Sequence, residues 1–386
     1  MKGDTKLRIA FFMITALEHG GGLETYYMST ASYMRRKMDI QADILTMSDD
    51  YTHRVIKALS VFYWKKIDLS LSYKLNLKQI RKLLDPAHYI KLSSVREAKR
   101  VLNGYSIVYS KNEVLEAFFF KFFIGYNNIP PVIFGGHTPL RFLKADTLYA
   151  RLHNFLYTSF IYKFLASGVS AFHALNESEA DLYKKLFPRK KVFRVPNPFD
   201  FETYRAKATL GNYVLSPSEK FKILWVGRFT EQKGVHQLIR LVSAMVDKQD
   251  AIEWHIVGDG EYKAELTALA RQYSNVFLHG FVSSEVMPQV YKAADLFIST
   301  SQWEGYPYVL LEARAMGLPI IANEIPGVSD ILQSYPMSFR ATDETSMERK
   351  LRVWIVRSRI TDTEKNDEFS PSAVYEMLLK EFESIS

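Results

Sequence analysis

Two glutamates stand eight positions apart in segment 303–312, which follows an apolar run at 296–299 that predicts a buried strand. Glu304 precedes a predicted helix, and Glu312 lies about one turn inside it. Carboxylates accept hydrogen bonds from paired hydroxyl groups, so sugar rings are natural ligands for such a pair. In the alternative interpretation, Glu304 complements the positive end of the helix and Glu312 is a surface residue.

Pro307 suits the first position of the same helix, where a missing N–H group costs nothing. Backbone N–H groups at 306–309 are then expected to form an anion site. Two cations bracket a second loop, 227–234, which follows the apolar run 221–226. The guanidinium of Arg228 and the ammonium of Lys233 suit a diphosphate, although solvated surface cations are the usual alternative. Both loops follow strands of one predicted domain, which makes coincidence the weaker explanation.

Other motifs are less specific. The glycines at 20–22 allow close backbone approach to a ligand, whereas 258–260 lacks the third glycine of a dinucleotide loop and favours a tight turn. His137 follows an apolar run and two glycines, and either reaches a ligand or has a structural role. The nine histidines show no paired ligand spacing, and no magnesium pattern follows Asp49 and Asp50. The sequence therefore predicts no metal site.

Short apolar runs alternate with amphipathic stretches, which is typical of parallel sheets with helices on both faces. The predicted strands are 7–14, 40–47, 106–109, 132–134, 169–174, 191–195, 221–226, 252–257, 276–278, 296–299 and 319–322. Segment 52–100 has no clear elements. We predict an α/β protein with two doubly wound Rossmann-like domains facing across a cleft, where ligands of open sheets bind.

Turn-forming residues at 195–200 and 211–217 indicate a linker. The predicted organisation is an N-terminal Rossmann-like domain at 1–205 and a C-terminal Rossmann-like domain at 206–365. A final helix within 366–386 is expected to pack back on the N-terminal domain. The length of 386 residues agrees with two domains.

Charge is unevenly distributed along the chain. Residues 1–200 hold 30 Lys and Arg against 17 Asp and Glu, whereas residues 201–386 hold 20 against 25. The basic half predicts either an anionic partner, such as a membrane surface, or a solvated basic face. No nucleic-acid reader motif occurs. The absence of cysteine excludes disulfides and thiolate chemistry and fits a reducing compartment.

Two apolar segments are too short or too interrupted to predict a membrane span. Segment 115–125 contains Lys121 and is a candidate for a helix that lies in a membrane interface. Segment 155–172 predicts a buried helix followed by a strand. We therefore expect a cytoplasmic protein that associates peripherally with the inner face of the cell membrane.

The motifs resemble those of retaining glycosyltransferases of glycosyltransferase family 4, which have the two-domain GT-B fold. The resemblance is densest at 223–332, where 226–228, 233–234, 257–260, 280–283 and 304–312 stand in the family's order. It is looser in the N-terminal half, at 21–24, His137 and 195–200. The departures at 326–330 and at Tyr308 leave the donor sugar open, and Asn197-Pro198, where the family commonly has Asn-Gly, is expected to stiffen the hinge. The resemblance makes 1–205 the acceptor-side domain and 206–365 the donor-binding domain.

The resemblance implies that Arg228 and Lys233 hold the donor diphosphate and take up charge on the leaving nucleotide. It implies that Glu312 binds ribose hydroxyls and that Glu304 and His137 contact the transferred sugar. The remaining implied donor contacts are Gly21, Gly22, Val282, Gly305, Tyr306 and Pro307. Catalysis is then metal-independent, because cations and helix ends neutralise the leaving group. No nucleophile follows from the sequence.

The resemblance therefore implies a retaining hexosyl- or N-acetylhexosaminyltransferase without a cofactor. Its donor substrate is a UDP- or GDP-linked sugar, and its acceptor is a glycan or a lipid-linked glycan of polysaccharide or glycoconjugate biosynthesis. Two alternatives share the architecture: a sugar-nucleotide epimerase, which converts the donor without an acceptor, and a non-catalytic sugar-nucleotide-binding subunit.

Overall fold

The computed structural model of the chain describes residues 7–14, 22–48, 51, 88–137, 139–141, 148–245, 250–356 and 371–385. The chain forms two compact units. The first comprises residues 1–196 with 374–386, and the second comprises residues 197–373. Each unit is built on its own parallel sheet.

The described residues of the first unit form a sheet of seven strands in the order β3-β2-β1-β4-β5-β6-β7. They are β1 (Arg8–Met13), β2 (Gln41–Met47), β3 (Tyr89–Leu92), β4 (Ile107–Lys111), β5 (Val132–Gly135), β6 (Ala171–Ala174) and β7 (Lys191–Arg194). The direction of winding reverses between β1 and β4, which pair in parallel. Parallel strands are covered on both faces, which explains why β1 is buried after Arg8 and almost entirely apolar.

Helices cover both faces of this sheet. They are α1 (Gly22–Lys37), α2 (Val95–Leu102), α3 (Val114–Phe119), α4 (Leu148–Thr158), α5 (Phe160–Leu165) and α6 (Glu177–Leu186). Helices α2 to α6 pack on one face around Phe12, Phe134 and Phe172. Helix α1 packs on the other. Helix α3 continues into a π-helical turn, Phe120–Ile124.

The sheet of the second unit has six strands in the order β10-β9-β8-β11-β12-β13. They are β8 (Phe221–Val226), β9 (Ile252–Val257), β10 (Val276–Gly280), β11 (Leu296–Ser299), β12 (Ile320–Asn323) and β13 (Ser338–Ala341). The helices are α7 (Phe201–Lys207), α8 (Val235–Ala244), α9 (Lys263–Gln272), α10 (Met287–Lys292), α11 (Tyr308–Ala315), α12 (Pro326–Leu332) and α13 (Glu344–Val356). Winding reverses between β8 and β11.

The last helix, α14 (Pro371–Glu383), belongs to the first unit although it follows the second in sequence. Val374, Leu378 and Phe382 are buried in the core that α1 shares with the sheet. Lys191 Nζ lies 2.6 Å from Glu381 Oε2 and ties the helix to β7. The helix thereby completes the core on the α1 face.

The predicted fold class is confirmed, and every predicted strand is found with ends displaced by at most two residues. Strands β3 and β13 were not predicted. The predicted domain boundary followed residue 205, whereas the first unit ends at Pro196. Helix α7 therefore belongs to the second unit, and the Asp200 side chain caps it by accepting from the Thr203 N–H at 2.9 Å.

The prediction of a buried helix within 155–172 is wrong about the burial of one side. Strand β6 follows as expected, but Phe155, Phe160 and Phe164 of α4 and α5 are exposed. The opposite sides of the same helices supply the buried contacts, through Tyr157 and Tyr162. Among the helices described, none combines the length and apolar character needed to cross a membrane.

Candidate functional site

The carboxyl ends of β8 and β11 are neighbours at the point where winding of the second sheet reverses. Ligands of open parallel sheets bind at such points. Lys233 follows β8, and Glu304 follows β11. The Gln302 N–H donates to the carbonyl of Gln232 at 2.8 Å and joins the two loops. The topology thus brings together two segments that the sequence analysis selected separately.

Lys233 and Glu304 form a short ion pair. Lys233 Nζ lies 2.5 Å from Glu304 Oε1, and the side chains are only 14% and 8% exposed. Gln232 lies beside the pair, where its Nε2 donates to the Trp303 carbonyl at 3.2 Å. Two charges largely removed from water need each other, because an unpaired buried charge is strongly unfavourable.

Arg228 lies in the same loop but is exposed. Its Nη2 donates to Gln232 Oε1 at 3.4 Å, and no carboxylate of the described residues forms an ion pair with it. The loop therefore carries a guanidinium and an ammonium, two cationic groups that suit a diphosphate.

Glu312 lies in the second turn of α11, and its Oε2 accepts a hydrogen bond from the Tyr291 hydroxyl at 2.8 Å. Burial raises the pKa of Glu312 to about 7, while Tyr291 and nearby Lys233 act in the opposite direction. Lys233 thus pairs with Glu304 and also lies close enough to Glu312 for its charge to favour the ionised carboxylate.

Glycines fix the backbone around these residues. Gly234 has a φ of +69°, and a Cβ atom there would lie 1.9 Å from the Thr300 carbonyl oxygen. Gly258 has a φ of +142°, and its Cβ would lie 1.9 Å from the Gly227 carbonyl oxygen. The sequence interpretation of 258–260 as a tight turn missed this role, which is to support the loop of Arg228. Only a residue without a side chain permits such approaches.

The remaining predicted donor contacts are less closely grouped. Gly305, Tyr306 and Pro307 are buried beside Glu304. Pro307 is the N-cap of α11 rather than its first helical residue, since its ψ of 117° is extended. Val282 follows β10, which β9 separates from β8, so it lies two strands from the ion pair. Gly21 lies outside the described residues, and Gly22 begins α1.

His137 lies in the first unit, directly after β5, and joins a chain of hydrogen bonds. The Val195 carbonyl accepts from His173 Nε2 at 2.7 Å, so the proton of His173 is on that nitrogen. Burial lowers the pKa of His173 to about 4 and leaves the ring neutral. The unprotonated Nδ1 then accepts from the Tyr109 hydroxyl at 2.7 Å.

The same chain determines the tautomer of His137. Because the hydroxyl hydrogen of Tyr109 is used in the hydrogen bond to His173, the Tyr109 oxygen accepts a hydrogen bond from His137 Nε2 at 3.0 Å. Burial, with His173 nearby, lowers the pKa of His137 to about 3. His137 is therefore neutral, and its Nδ1 is a hydrogen-bond acceptor. Tyr109 and His173 carry no sequence motif, because the contact depends on the pairing of β4, β5 and β6.

A second buried pair lies where winding of the first sheet reverses. Lys111, at the end of β4, has its Nζ 3.3 Å from Glu116 Oε1. Burial raises the pKa of Glu116 to about 7, while Lys111 lowers it. The sequence analysis did not select these residues, since a lysine and a glutamate five positions apart form no recognisable motif.

Within the described part of the chain, no three His, Asp or Glu side chains are grouped so that they could hold a metal ion. The charged groups at the β8–β11 edge are instead an ammonium, a guanidinium and two carboxylates. They can bind a polyanion and polar hydroxyls at adjacent positions.

The fold defines a structural class. Two parallel-sheet α/β Rossmann-like units are the GT-B fold, and the crystal structure of Anabaena HepE in complex with UDP shares it. Its TM-score is 0.68 at 15% identity, with 98% of this chain and 100% of that chain covered. A structure of HepE with UDP-glucose gives a TM-score of 0.66 at 16% identity, with the same coverage of both chains.

A sequence family matches part of the chain. The model described as glycosyl transferases group 1 matches residues 211–369, most of the second unit. An uncharacterized glycosyltransferase of Methanocaldococcus jannaschii is 28% identical over 192 residues, which are 46% of this chain and 48% of that protein. The amylovoran biosynthesis glycosyltransferase AmsK of Erwinia amylovora is 32% identical over 124 residues, which are 30% of each chain. The chain thus spans half or less of the length of these relatives.

Proposed function

We propose that this protein is a glycosyltransferase that moves a sugar from a nucleotide diphosphate sugar to a glycan or lipid-linked acceptor. The observation that carries the proposal is the grouping of Lys233, Glu304 and Glu312 where the winding of the second sheet reverses. The UDP and UDP-glucose bound to HepE, and the biosynthetic relative AmsK, support this substrate class.

Each side chain has a part in the proposed reaction. Arg228 and Lys233 bind the diphosphate, and Glu312 accepts hydrogen bonds from the ribose hydroxyls. When the bond between the sugar C1 and the phosphate oxygen breaks, negative charge grows on the leaving diphosphate. The two cations stabilise that charge in a site with little water, which is worth more than in bulk solvent. No metal ion is required.

Glu304 and His137 contact the transferred sugar in this proposal. The fixed tautomer gives His137 Nδ1 the role of acceptor for a sugar hydroxyl. Backbone groups of Gly21, Gly22, Gly305, Tyr306 and Pro307 reach the donor phosphates, and Val282 borders the base. The acceptor hydroxyl attacks C1 on the face from which the diphosphate leaves and gives its proton to the leaving phosphate oxygen, so the anomeric configuration is retained, as in glycosyltransferase family 4.

The donor in this proposal is a UDP- or GDP-linked hexose or N-acetylhexosamine, and no cofactor takes part. The acceptor is presented at the cytoplasmic face of a membrane, to which the protein binds peripherally. The basic first half of the sequence supports this location, with 30 Lys and Arg against 17 Asp and Glu.

The test is turnover of a panel of UDP- and GDP-sugars with EDTA present, with and without membranes that carry acceptor glycans. Release of nucleoside diphosphate that depends on the membranes, and that Glu304→Gln abolishes, supports the transferase. NMR of the product then reports the anomeric configuration. Conversion of the donor sugar without acceptor identifies an epimerase instead. Nucleotide binding without turnover of any donor identifies a non-catalytic subunit.

A further inference from the structure

Among the described residues of the first unit, eight large apolar side chains face solvent on three helical segments: the π-helical turn after α3, helix α4 and helix α5. They are 42% to 79% exposed. Six of them define what we call the α3–α5 surface: Phe122, Phe123, Leu152, Phe155, Phe160 and Phe164. Proteins rarely expose apolar side chains in such a group unless the surface binds another apolar surface.

Contacts between the segments make this one surface. Helix α5 packs against both α3 and α4. The ring centroids of Phe122 and Phe164 are 6.3 Å apart. The Lys121 ammonium lies 4.5 Å from the centroid of the Phe164 ring and donates to Ser167 Oγ at 2.9 Å. The exposed rings of Phe122 and Phe164 and the Lys121 ammonium are therefore adjacent.

These helices also have an apolar side that faces the core, so the exposed apolar residues form a second apolar side. Phe119, Tyr157 and Tyr162 of the same helices are buried in the core of the first unit. On α4, Leu148, Leu152 and Phe155 have the spacing of a core-facing stripe, yet all three are exposed. A helix with two apolar sides needs an apolar partner for each side, and the core of the first unit is the partner of only one.

The sequence that carries this surface has mostly basic charge. Between Ala117 and Asn176 the sequence has five Lys and Arg but a single acidic residue, Asp146. Lys121 and Lys163 belong to the helical segments that carry the exposed rings. Apolar rings flanked by lysines match the interface of an anionic bilayer, where rings enter the acyl boundary and cations meet headgroups.

We propose that the α3–α5 surface docks the protein on the headgroup region of an anionic lipid membrane. The proposal deepens the proposed function, since it names the surface that brings the enzyme to a lipid-linked acceptor. A vesicle made only of phospholipid tests it without donor or acceptor, so its outcome does not depend on transferase activity.

The experiment is flotation of the full chain with phosphatidylcholine vesicles, with and without 30 mol% phosphatidylglycerol. We expect binding to the anionic vesicles that weakens at high salt, because the cationic contribution is screened. Phe160→Glu/Phe164→Glu should bind at least about tenfold more weakly. Lys121→Ala/Lys163→Ala should lose up to about thirtyfold on anionic vesicles and little on neutral ones.

The matched control is Leu210→Glu/Val214→Glu, which replaces two exposed apolar residues of the second unit. It should bind vesicles like the wild type, and circular dichroism should show all variants folded. Failure of the wild type to bind, or equal loss in the control, would overturn the proposal. The proposal would also be overturned if the wild type formed a dimer in light scattering without binding vesicles, and if Phe160→Glu/Phe164→Glu dissociated that dimer. In that case a second copy of the chain covers the surface.

Discussion

The ammonium of Lys233 lies 2.5 Å from the carboxylate of Glu304, so two side chains expected to bind different parts of one donor bind each other. The pair explains how both charges are kept largely out of water at the reversal point of the second sheet. In the proposed mechanism, phosphate oxygens compete with Glu304 for Lys233. Donor binding and release of Glu304 toward the sugar are then coupled events.

Removing one member of this pair should destabilise the protein. Lys233→Ala and Glu304→Ala should each cost about 3 kcal/mol of unfolding free energy, because each leaves one charge unpaired. The double variant should lose clearly less than the sum of the two. Urea unfolding of the three variants measures this coupling. Additive losses would contradict the pairing.

Nucleotide-sugar binding should strengthen as pH rises through about 7. Burial raises the pKa of Glu312 to about 7, and only its ionised form accepts two ribose hydrogen bonds. At pH 6 about a tenth of the carboxyl is ionised, so affinity for UDP- or GDP-sugar should be about tenfold lower than at pH 8. Calorimetry with Glu312→Gln should show weak binding and a flat pH profile. A wild-type affinity that does not change between pH 6 and 8 contradicts the assignment.

Glu312 should also make the stability of the protein depend on pH, with stability falling as pH rises. Its folded pKa lies above the ordinary value of 4.5, so the folded state holds this proton more tightly than the unfolded state. The contribution of Glu312 to stability is therefore fully present below pH 4.5 and is lost as pH rises through about 7. Glu312→Gln should gain about 2 kcal/mol at pH 8 relative to wild type and much less at pH 4. Equal effects at both pH values would argue against the raised pKa.

Gly234→Ala should abolish nucleotide binding and destabilise the second unit. The new Cβ would meet the Thr300 carbonyl oxygen at 1.9 Å, so the loops after β8 and β11 would have to separate. Gly280→Ala is the matched control, because Gly280 has nearly the same φ, +66°, but no atom within 4 Å of its Cβ position. The control should lose only about 1–2 kcal/mol, the cost of the backbone conformation itself. Similar melting temperatures for the two variants would refute the close approach.

In Tyr109→Phe, His137 should no longer be held in a single neutral tautomer. The hydroxyl links His137 to His173, and its loss leaves buried ring nitrogens without a partner, at about 1–3 kcal/mol. Nitrogen-15 NMR of the wild type should show His137 neutral at pH 7 with the proton on Nε2. The variant should show mixed tautomers and a lower kcat with little change in donor affinity. A protonated Nδ1 in the wild type would contradict the hydrogen-bond chain.

The sequence was most informative where chemistry and topology coincide. Lys233 and Glu304 could be selected because each lies in the loop after a strand, and Glu312 because it lies in the helix that follows the second loop; strand ends of one sheet meet at one edge. Contacts that depend on which strands are neighbours were out of reach. Tyr109 and His173, and the approach of Gly258 to Gly227, follow from pairings that no local pattern encodes.

The other omissions have local causes. Strand β3 follows an irregular basic stretch, and β13 is a four-residue edge strand with an exposed arginine, so neither shows a clear apolar run. The exposed rings of α4 and α5 have the same spacing as a buried stripe, and periodicity does not reveal which side faces the core. Burial in the structure was needed to distinguish them.

The most direct test of the central claim is calorimetric titration of UDP and GDP into the full chain with EDTA present. The control is Arg240→Ala, because the Arg240 guanidinium pairs with Glu344 on the surface. Wild type and this control should bind one of the two nucleotides with equal affinity. Arg228→Ala, an exposed change in the proposed diphosphate site, should bind it at least about tenfold more weakly, since a charge-assisted hydrogen bond is lost. Absence of binding of either nucleotide to the wild type, or equal affinity in Arg228→Ala, would contradict a nucleotide-sugar site at this edge.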